Sequence, residues 1–189
     1  MKERNIAIFA SGAGTNADNI IRTFKDTNIK VSAIVSNNPN AGVVNIASSY
    51  DIPCIIVSNK LELYSDFLIS TFAKLNIDLI VLAGFLRKIP KKMIDKYPKQ
   101  IINIHPALLP KYGGKGMYGS IIHRLVKENG ETKTGITIHY VNDKYDEGEV
   151  VFQSEFLIDV NDSVADIEKK IHAMEYKHFP EVISRLLID

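Results

Sequence analysis

The sequence contains little of what several classes of protein require. Its 189 residues include a single cysteine, Cys54, which excludes an intrachain disulfide and a metal site built from cysteine ligands. The formal net charge is +1, so no strong electrostatic footprint for nucleic acid or for an anionic membrane is present. No segment has the apolar length that a membrane span needs. We therefore expect a protein with no nucleic-acid partner and no membrane partner.

The start of the chain carries no sign of export. Residues 1–5 run directly into an apolar strand, without the apolar core of a signal peptide. A single cysteine is also typical of a reducing compartment. These two features predict a cytoplasmic protein. A hydrophobic fraction of 46% and a charged fraction of 24% are ordinary for a globular protein, and the length suits one domain with a full core.

The first half of the chain alternates apolar runs with amphipathic segments. Strands are predicted at residues 6–10, 31–35, 54–57, 78–83 and 101–105, and helices at 15–25, 43–50, 61–75 and 90–97. The first helix is expected to begin with a capping box formed by Thr15 and Asp18. Because helices separate the strands, the sheet should be parallel and covered by helices on both faces.

The second half of the chain follows a different pattern. A helix is predicted at 120–128, an alternating strand at 134–141 and one or two strands at 149–156. A long helical region follows at 163–187, which Pro180 should interrupt. We predict a single α/β domain over residues 1–189, with a Rossmann-like open sheet. The sheet should be mostly parallel, with an antiparallel part in the C-terminal half.

Asn103 and His105 form the most informative feature of the chain. They stand two residues apart at the end of the apolar strand 101–105, which stops at Pro106. Residues two apart in a strand point to the same face, so both side chains project from the strand end. Two polar donors there suit a reacting carbonyl, and histidine can carry a proton at neutral pH. A lone histidine in an apolar run is usually a packed core residue, but the neighbouring Asn favours a catalytic pair.

Two further strand ends are predicted to meet this pair. Residues 11–16, Ser-Gly-Ala-Gly-Thr-Asn, open the first helix, where glycines allow close backbone approach and a helix N-terminus can hold phosphate. The segment is neither a dinucleotide fingerprint, because Ala17 replaces the third glycine, nor a P-loop, and a turn that binds nothing is the alternative. Residues 83–89 end another strand, at the edge where open α/β sheets bind ligands, although a routine strand exit is the alternative there. Three strand ends at one edge favour a cleft with a phosphate-holding end and a reactive end.

A carboxylate beside His105 would raise the pKa of its imidazole and fix its orientation. The polar turn that follows the strand 134–141 offers four candidates, and the residues alone do not choose among them: Asp143, Asp146, Glu147 and Glu149. His139 is expected to have a buried structural role. The remaining histidines are expected to be surface or packing residues: His123, His172 and His178. No spacing of histidine and carboxylate residues resembles a metal site.

Taken in chain order, these motifs resemble those of the phosphoribosylglycinamide formyltransferase family. The matching blocks cover nearly the whole chain, at residues 11–16, 82–87, 103–112, 146–148 and 175–180. The block Asn-x-His-Pro-x-Leu-Leu-Pro at 103–110 is highly specific for the folate formyltransferase superfamily. The resemblance implies transfer of the formyl group of 10-formyltetrahydrofolate to the amine of glycinamide ribonucleotide, in purine biosynthesis, without a metal.

The resemblance also implies a role for particular residues. The family's catalytic trio matches Asn103, His105 and Asp146. The loop that holds the substrate phosphate matches Gly14, Thr15 and Asn16. A substrate-contacting glutamate on the last helix matches Glu175. The stretch that contacts the folate matches Leu86, Arg87, Lys88, Ile89 and Asn103.

Further expectations follow from that resemblance. The N-terminal half of the domain should bind the phosphate, and the C-terminal half should bind the folate and carry catalysis. Asp146 should keep His105 as an imidazolium, with a pKa above its reference value of about 6.5. The expected partners are small molecules only, and the chain is expected to be a monomer or a homodimer.

Two departures from the family pattern and three alternatives remain. The loop at 111–119, Lys-Tyr-Gly-Gly-Lys-Gly-Met-Tyr-Gly, is longer and richer in glycine than the family's Lys-Tyr-Pro-Gly-Leu-His, and Leu61 stands where a basic folate-contacting residue is usual. One alternative is a methionyl-tRNA formyltransferase, although that enzyme carries an additional C-terminal RNA-binding domain. A second is a formyltetrahydrofolate hydrolase, which carries an additional N-terminal regulatory domain. A non-catalytic phosphate-binding module would have no need of a site that stabilises an oxyanion.

Overall fold

A seven-stranded sheet forms the centre of the molecule in the computed structural model, which describes residues 2–188 apart from the side chain of Glu62. Met1 and Asp189, the two ends of the predicted domain, lie outside the described residues. The strands are β1 (Arg4–Phe9), β2 (Ile29–Ser36), β3 (Cys54–Ile56), β4 (Ile77–Leu82), β5 (Ile101–His105), β6 (Lys133–Tyr140) and β7 (Val150–Leu157). They lie in the order β3-β2-β1-β4-β5-β6-β7.

Along this sheet, β6 runs in the opposite direction to the other six strands. The first five strands pair in parallel, whereas β6 pairs antiparallel with both β5 and β7. The prediction of a mostly parallel open sheet with an antiparallel part in the C-terminal half is therefore confirmed. Of residues 149–156, for which one or two strands were predicted, residues 150–156 belong to the single strand β7.

Helices cover both faces of the sheet, as the apolar runs of the strands require. They are α1 (Thr15–Phe24), α2 (Gly42–Ser49), α3 (Ser65–Lys74), α4 (Lys91–Lys96), α5 (Ser120–Glu128) and α6 (Val164–Ile188). Ile6 and Ile8 of β1 pack in the core beneath α1, α2 and α6, while Ala7 and Phe9 face the core beneath α3 and α4. The helix predicted at 61–75 begins as a 3-10 turn at Leu61–Tyr64, before α3. Among residues 2–188, no helix combines the length and apolar character that crossing a bilayer requires.

Pro180 lies inside α6, and the prediction that it interrupts this helix was wrong. Proline has no N–H group, so the carbonyl of Tyr176, four residues earlier, loses its helical donor. The Asn19 side chain on α1 replaces that donor, because its Nδ2 donates to the Tyr176 carbonyl at 2.8 Å. The helix therefore continues for 25 residues, through a contact that no local sequence pattern reports.

We expect Asn19→Ala to lower the free energy of unfolding by about 1–3 kcal/mol, because it leaves a partly buried carbonyl without a donor. In the Pro180→Ala background, the new N–H of residue 180 supplies that donor. The cost of Asn19→Ala should then fall below about 1 kcal/mol. Urea unfolding of the two single variants and the double variant measures this coupling. Equal costs in the two backgrounds would contradict the proposed replacement of the donor.

The chain reverses its progress through the sheet at β1, which lies between β2 and β4. Open α/β sheets bind ligands in the crevice outside the carboxyl ends of the strands at such a point. The loops that follow β1 and β4 are joined there, because the Ser11 N–H donates to the Gly84 carbonyl at 3.0 Å and the Leu86 N–H donates to Ser11 Oγ at 2.9 Å. The fold therefore favours a ligand site at this edge of the sheet.

Candidate active site

A cleft of about 540 Å³ opens at the carboxyl ends of β1, β4 and β5. The loops after these strands, the glycine-rich loop from residue 114 to 119 and α6 surround it. It is lined by all the residues predicted for catalysis, for the phosphate and for the substrate: Gly14, Thr15, Asn16, Asn103, His105, Asp146 and Glu175. The three strand ends that the sequence predicted to meet therefore share one cleft.

His105 is buried at the reactive end of this cleft, with 3% of its surface exposed. Its Nε2 lies 2.8 Å from the carbonyl oxygen of Tyr112. A carbonyl can only accept, so Nε2 carries a proton. Burial lowers the pKa of His105, although Asp146 opposes that effect. The expectation that Asp146 lifts this pKa above its reference value was wrong, because the imidazole is more deeply buried than the sequence indicated.

Asp146 is the carboxylate of its turn that faces the catalytic pair. Its Oδ2 accepts from the Gly114 N–H at 2.9 Å and lies 3.6 Å from His105 Nδ1. Burial alone would raise the pKa of Asp146, but contacts with its neighbours, which include the His105 imidazole and the Gly114 N–H, outweigh it and lower that pKa. The charged, carboxylate form of Asp146 is therefore favoured. The other three carboxylates of this turn are exposed: Asp143, Glu147 and Glu149.

Asn103 has a fixed orientation because its amide nitrogen contacts two groups. Nδ2 lies 3.1 Å from His139 Nε2 and 3.5 Å from Asp146 Oδ1. His139 Nδ1 lies 2.9 Å from the Tyr140 carbonyl, so Nδ1 carries a proton and Nε2 accepts from Asn103. The buried role expected for His139 thus includes contact with a catalytic candidate. The pairing of Asn103 with His139 across β5 and β6 explains the contact, but that register is not visible in the sequence.

These three side chains can accept a proton and stabilise negative charge at one place. His105 Nδ1 lacks a proton when the ring is neutral, and a proton taken up there would be placed beside the Asp146 carboxylate. The longer of the two Asn103 contacts, at 3.5 Å, is the one that a stronger acceptor can displace most easily. The arrangement suits a reaction that releases a proton while negative charge develops on a carbonyl oxygen.

The opposite end of the cleft is formed by the start of α1. Gly14 is the N-cap residue, in the left-handed region with φ of 80°, and no side chain caps the helix. The predicted capping box was wrong, because Asp18 instead bonds to Arg22 and Tyr50. The first N–H groups of a helix have no intrahelical partner, so a start without a side-chain cap can bind an anion through them.

Glu175 connects this helix start to α6. It is 4% exposed, and its Oε2 accepts from Asn16 Nδ2 at 2.9 Å and from His172 Nδ1 at 3.0 Å. His123 and His172, expected to be surface or packing residues, both line the cleft. The spacing of three residues between His172 and Glu175 on one helix is a signal that could have linked them.

The predicted folate stretch is divided between two pockets. Leu86 and Arg87 line the main cleft, and Arg87 Nε donates to Asn59 Oδ1 at 3.0 Å. Arg87 also lines, with Lys88 and Ile89, an adjoining pocket of about 60 Å³ that Asn103 and Asp146 share. Ile89 is 3% exposed and belongs to the core beneath α3 and α4, so its side chain cannot reach far into either space. Within residues 2–188, no group of three or more histidine, cysteine or carboxylate side chains is placed to hold a metal ion.

Fold and site together define an α/β group-transfer enzyme of the open-sheet type. A family model described as formyl transferase matches residues 4–183. The chain is 34% identical over 190 residues to the phosphoribosylglycinamide formyltransferase of Bacillus subtilis, with 97% of this chain and 95% of that protein covered. The chain therefore belongs to the formyl transferase family, among the phosphoribosylglycinamide formyltransferases.

Two further similarities agree with this assignment. The chain is 34% identical over 192 residues to the chloroplastic phosphoribosylglycinamide formyltransferase of Arabidopsis thaliana, which covers 98% of this chain. It spans 66% of the length of that plant protein. The structure of phosphoribosylglycinamide formyltransferase from Coxiella burnetii, in complex with CHES, matches with a TM-score of 0.89 and 34% identity, covering 98% of this chain and 88% of that one.

Proposed function

We propose that this chain transfers the formyl group of 10-formyltetrahydrofolate to the amine of glycinamide ribonucleotide. The products are formylglycinamide ribonucleotide and tetrahydrofolate, in the synthesis of purines. One observation carries the proposal: Asn103, His105 and Asp146 meet at one end of a cleft whose other end is an uncapped helix start. The names of the relatives support the ribonucleotide as the acceptor.

The first chemical step is attack of the amine nitrogen on the formyl carbon. A tetrahedral intermediate forms, and the formyl oxygen becomes an oxyanion. Asn103 Nδ2 stabilises that oxyanion by donating to it in place of its 3.5 Å contact with Asp146. The shorter contact with His139 Nε2 keeps the amide oriented throughout.

The second requirement is removal of a proton from the attacking amine. His105 Nδ1 accepts it, directly or through a water, because Nε2 already carries the proton that faces the Tyr112 carbonyl. The imidazolium formed is stabilised by the Asp146 carboxylate, 3.6 Å from Nδ1, and adds to the stabilisation of the oxyanion. Collapse of the intermediate breaks the bond between the carbon and N10 of the folate, and the proton passes to N10. The step forms no covalent bond to the protein.

The remaining residues bind the two substrates. Backbone N–H groups of Gly14, Thr15 and Asn16 bind the ribonucleotide phosphate, and Glu175 accepts from the ribonucleotide. Leu86 and Arg87 contact the folate from the main cleft, while Lys88 and the backbone of Ile89 contact it from the adjoining pocket. In this proposal the N-terminal half binds the phosphate, the C-terminal half carries catalysis, and the folate is contacted by residues 86–89 and by Asn103. We further propose that the partners of the protein are small molecules only. We also propose that it is cytoplasmic and is a monomer or a homodimer.

We expect Gly14→Ala to raise the KM for the ribonucleotide by about tenfold or more, the effect of losing one hydrogen bond to a charged group. An added Cβ would lie 2.7 Å from Val43 Cβ at a backbone φ of +80°, so the loop must move away from its phosphate-binding position. The KM for the folate should stay within about twofold. Gly130→Ala is the matched control, because Gly130 also has a positive φ, of +64°, but lies outside the cleft. An equal rise in both KM values would mean that Gly14 acts through the fold.

The proposed reaction is tested by comparing acceptors. With 10-formyltetrahydrofolate as donor, we expect glycinamide ribonucleotide to be formylated rapidly and initiator methionyl-tRNA not at all. Release of formate to water should be slow. Preferred release of formate would instead indicate a formyltetrahydrofolate hydrolase, and formylation of the tRNA would indicate a methionyl-tRNA formyltransferase. Binding of the ribonucleotide without any transfer would identify a non-catalytic phosphate-binding module.

A further inference from the structure

His172 contacts the substrate end of the cleft without taking part in the proposed chemistry. Its Nδ1 lies 3.0 Å from Glu175 Oε2, the same oxygen that accepts from Asn16 Nδ2. Among the described residues, both hydrogen bonds to Glu175 fall on Oε2, which leaves Oε1 to accept from a ligand. His172 therefore determines, together with Asn16, how this buried carboxylate is oriented toward a substrate.

The surroundings of His172 favour its protonated form. Glu168 on the same helix has its Oε1 3.8 Å from His172 Nε2, and the hydrogen bond to Glu175 raises the pKa of His172. Other polar groups near His172 include His123 of the neighbouring helix α5 and the uncharged Asn16 of α1. The strands β6 and β7 meet α6 through apolar side chains such as those of Ile138 and Phe152.

The charge of His172 matters because of what this end of the cleft is proposed to bind. Glu168, Glu175 and the phosphate of the ribonucleotide all bring negative charge to the same region. Glu175 also influences the reactive end, since its charge raises the pKa of His105. A protonated His172 offsets part of this negative charge and donates a charged hydrogen bond to Glu175.

We propose that protonated His172 is a positioning residue for the ribonucleotide, which fixes Glu175 and offsets the negative charge beside the phosphate loop. Binding of the ribonucleotide then becomes linked to the protonation of this side chain. The favourable contribution is present while His172 is charged and is lost as the pH rises through its pKa. This inference rests on the proposed function, since it needs a phosphorylated substrate in the cleft.

The test measures the KM for glycinamide ribonucleotide across about pH 5 to 8, the range in which histidine titrates. Wild type is compared with His172→Gln, in which the amide can donate to Glu175 Oε2 but cannot become charged. Because both enzymes use the same substrate, ionisation of its phosphate and amine cancels in the ratio of the two KM values. We expect the KM of wild type divided by the KM of His172→Gln to be well below one at low pH. This ratio should rise by about tenfold as the pH increases and approach one when His172 is neutral.

A second variant separates charge from orientation. His172→Ala removes the donor as well as the charge, so its KM for the ribonucleotide should exceed that of His172→Gln by about tenfold at every pH. The kcat and the KM for the folate should change less than about twofold in both variants. The matched control is His178→Gln, since His178 Nδ1 lies 2.9 Å from Glu181 Oε2 at the same spacing on the same helix, away from the cleft. Its pH profile should match that of wild type.

The outcomes distinguish failure of the inference from failure of the proposed function. A wild-type enzyme that does not formylate glycinamide ribonucleotide would overturn the proposed function, and this inference with it. If the wild type formylates the ribonucleotide but the ratio of its KM to that of His172→Gln does not change with pH, the inference alone is overturned. Parallel losses of kcat and of affinity for both substrates in His172→Gln would also overturn it, because a structural defect affects all three.

Discussion

His105→Ala and Asn103→Ala should each lower kcat by about 100-fold or more while changing either KM less than about threefold. The expected effect is large because both side chains act on groups that exist only during the reaction. Asn103 donates to an oxyanion that is absent from the substrates, and His105 accepts a proton that the amine releases only on attack. Steady-state kinetics with each substrate varied in turn measures the division between kcat and KM.

Controls for these variants come from the same chain. His178→Ala removes a histidine outside the cleft and should leave kcat unchanged. Asn103 and His105 lie on a buried strand, so thermal unfolding must show that each variant is folded at the assay temperature. A folded variant that keeps more than about a tenth of the wild-type kcat would exclude its side chain from the roles proposed here.

Asp146→Asn should lower both the pKa of His105 and the rate of formyl transfer. Burial already lowers this pKa, and the negative charge of Asp146 is the largest influence opposing it. Removing the charge makes the imidazolium harder to form, so proton uptake from the amine becomes less favourable. We expect kcat to fall by about 100-fold or more, with the fold retained because asparagine can still accept from the Gly114 N–H.

NMR titration of the His105 ring in both proteins tests this pairing directly. The matched control is Asp143→Asn, which removes an exposed carboxylate from the same turn and should leave the His105 pKa and kcat unchanged. If the Asp146 variant has the wild-type His105 pKa, the carboxylate does not stabilise the imidazolium. An equal effect of Asp143→Asn would show that the charge of the turn as a whole is responsible.

The arrangement of the cleft could be predicted in large part from the sequence because its determinants are local. The spacing of Asn103 and His105 in a strand defines a shared face, and the glycine loop stands where a strand becomes a helix. Parallel strands bring such ends to one edge whatever the details of packing. The choice of Asp146 among four carboxylates, however, came from the family resemblance, since all four belong to one short polar turn.

The parts that could not be predicted depend on contacts between distant segments. The lowered pKa of His105 follows from its burial, and the proton on its Nε2 follows from the Tyr112 carbonyl, and a strand pattern specifies neither. The continuity of α6 at Pro180 depends on Asn19, a residue of the first helix. His139 reaches Asn103 only through the antiparallel pairing of β5 with β6. In each case a side chain supplies or accepts a hydrogen bond across the fold.

The measurement that tests the central claim most directly follows the formyl carbon itself. Wild-type protein is supplied with 10-formyltetrahydrofolate labelled with ¹³C in the formyl group and with unlabelled glycinamide ribonucleotide, and the products are analysed by NMR. We predict that the label appears as a formamide on the glycinamide nitrogen, with one tetrahydrofolate released for each formyl group transferred. Label recovered only as formate, or remaining on the folate, would contradict the proposed transfer.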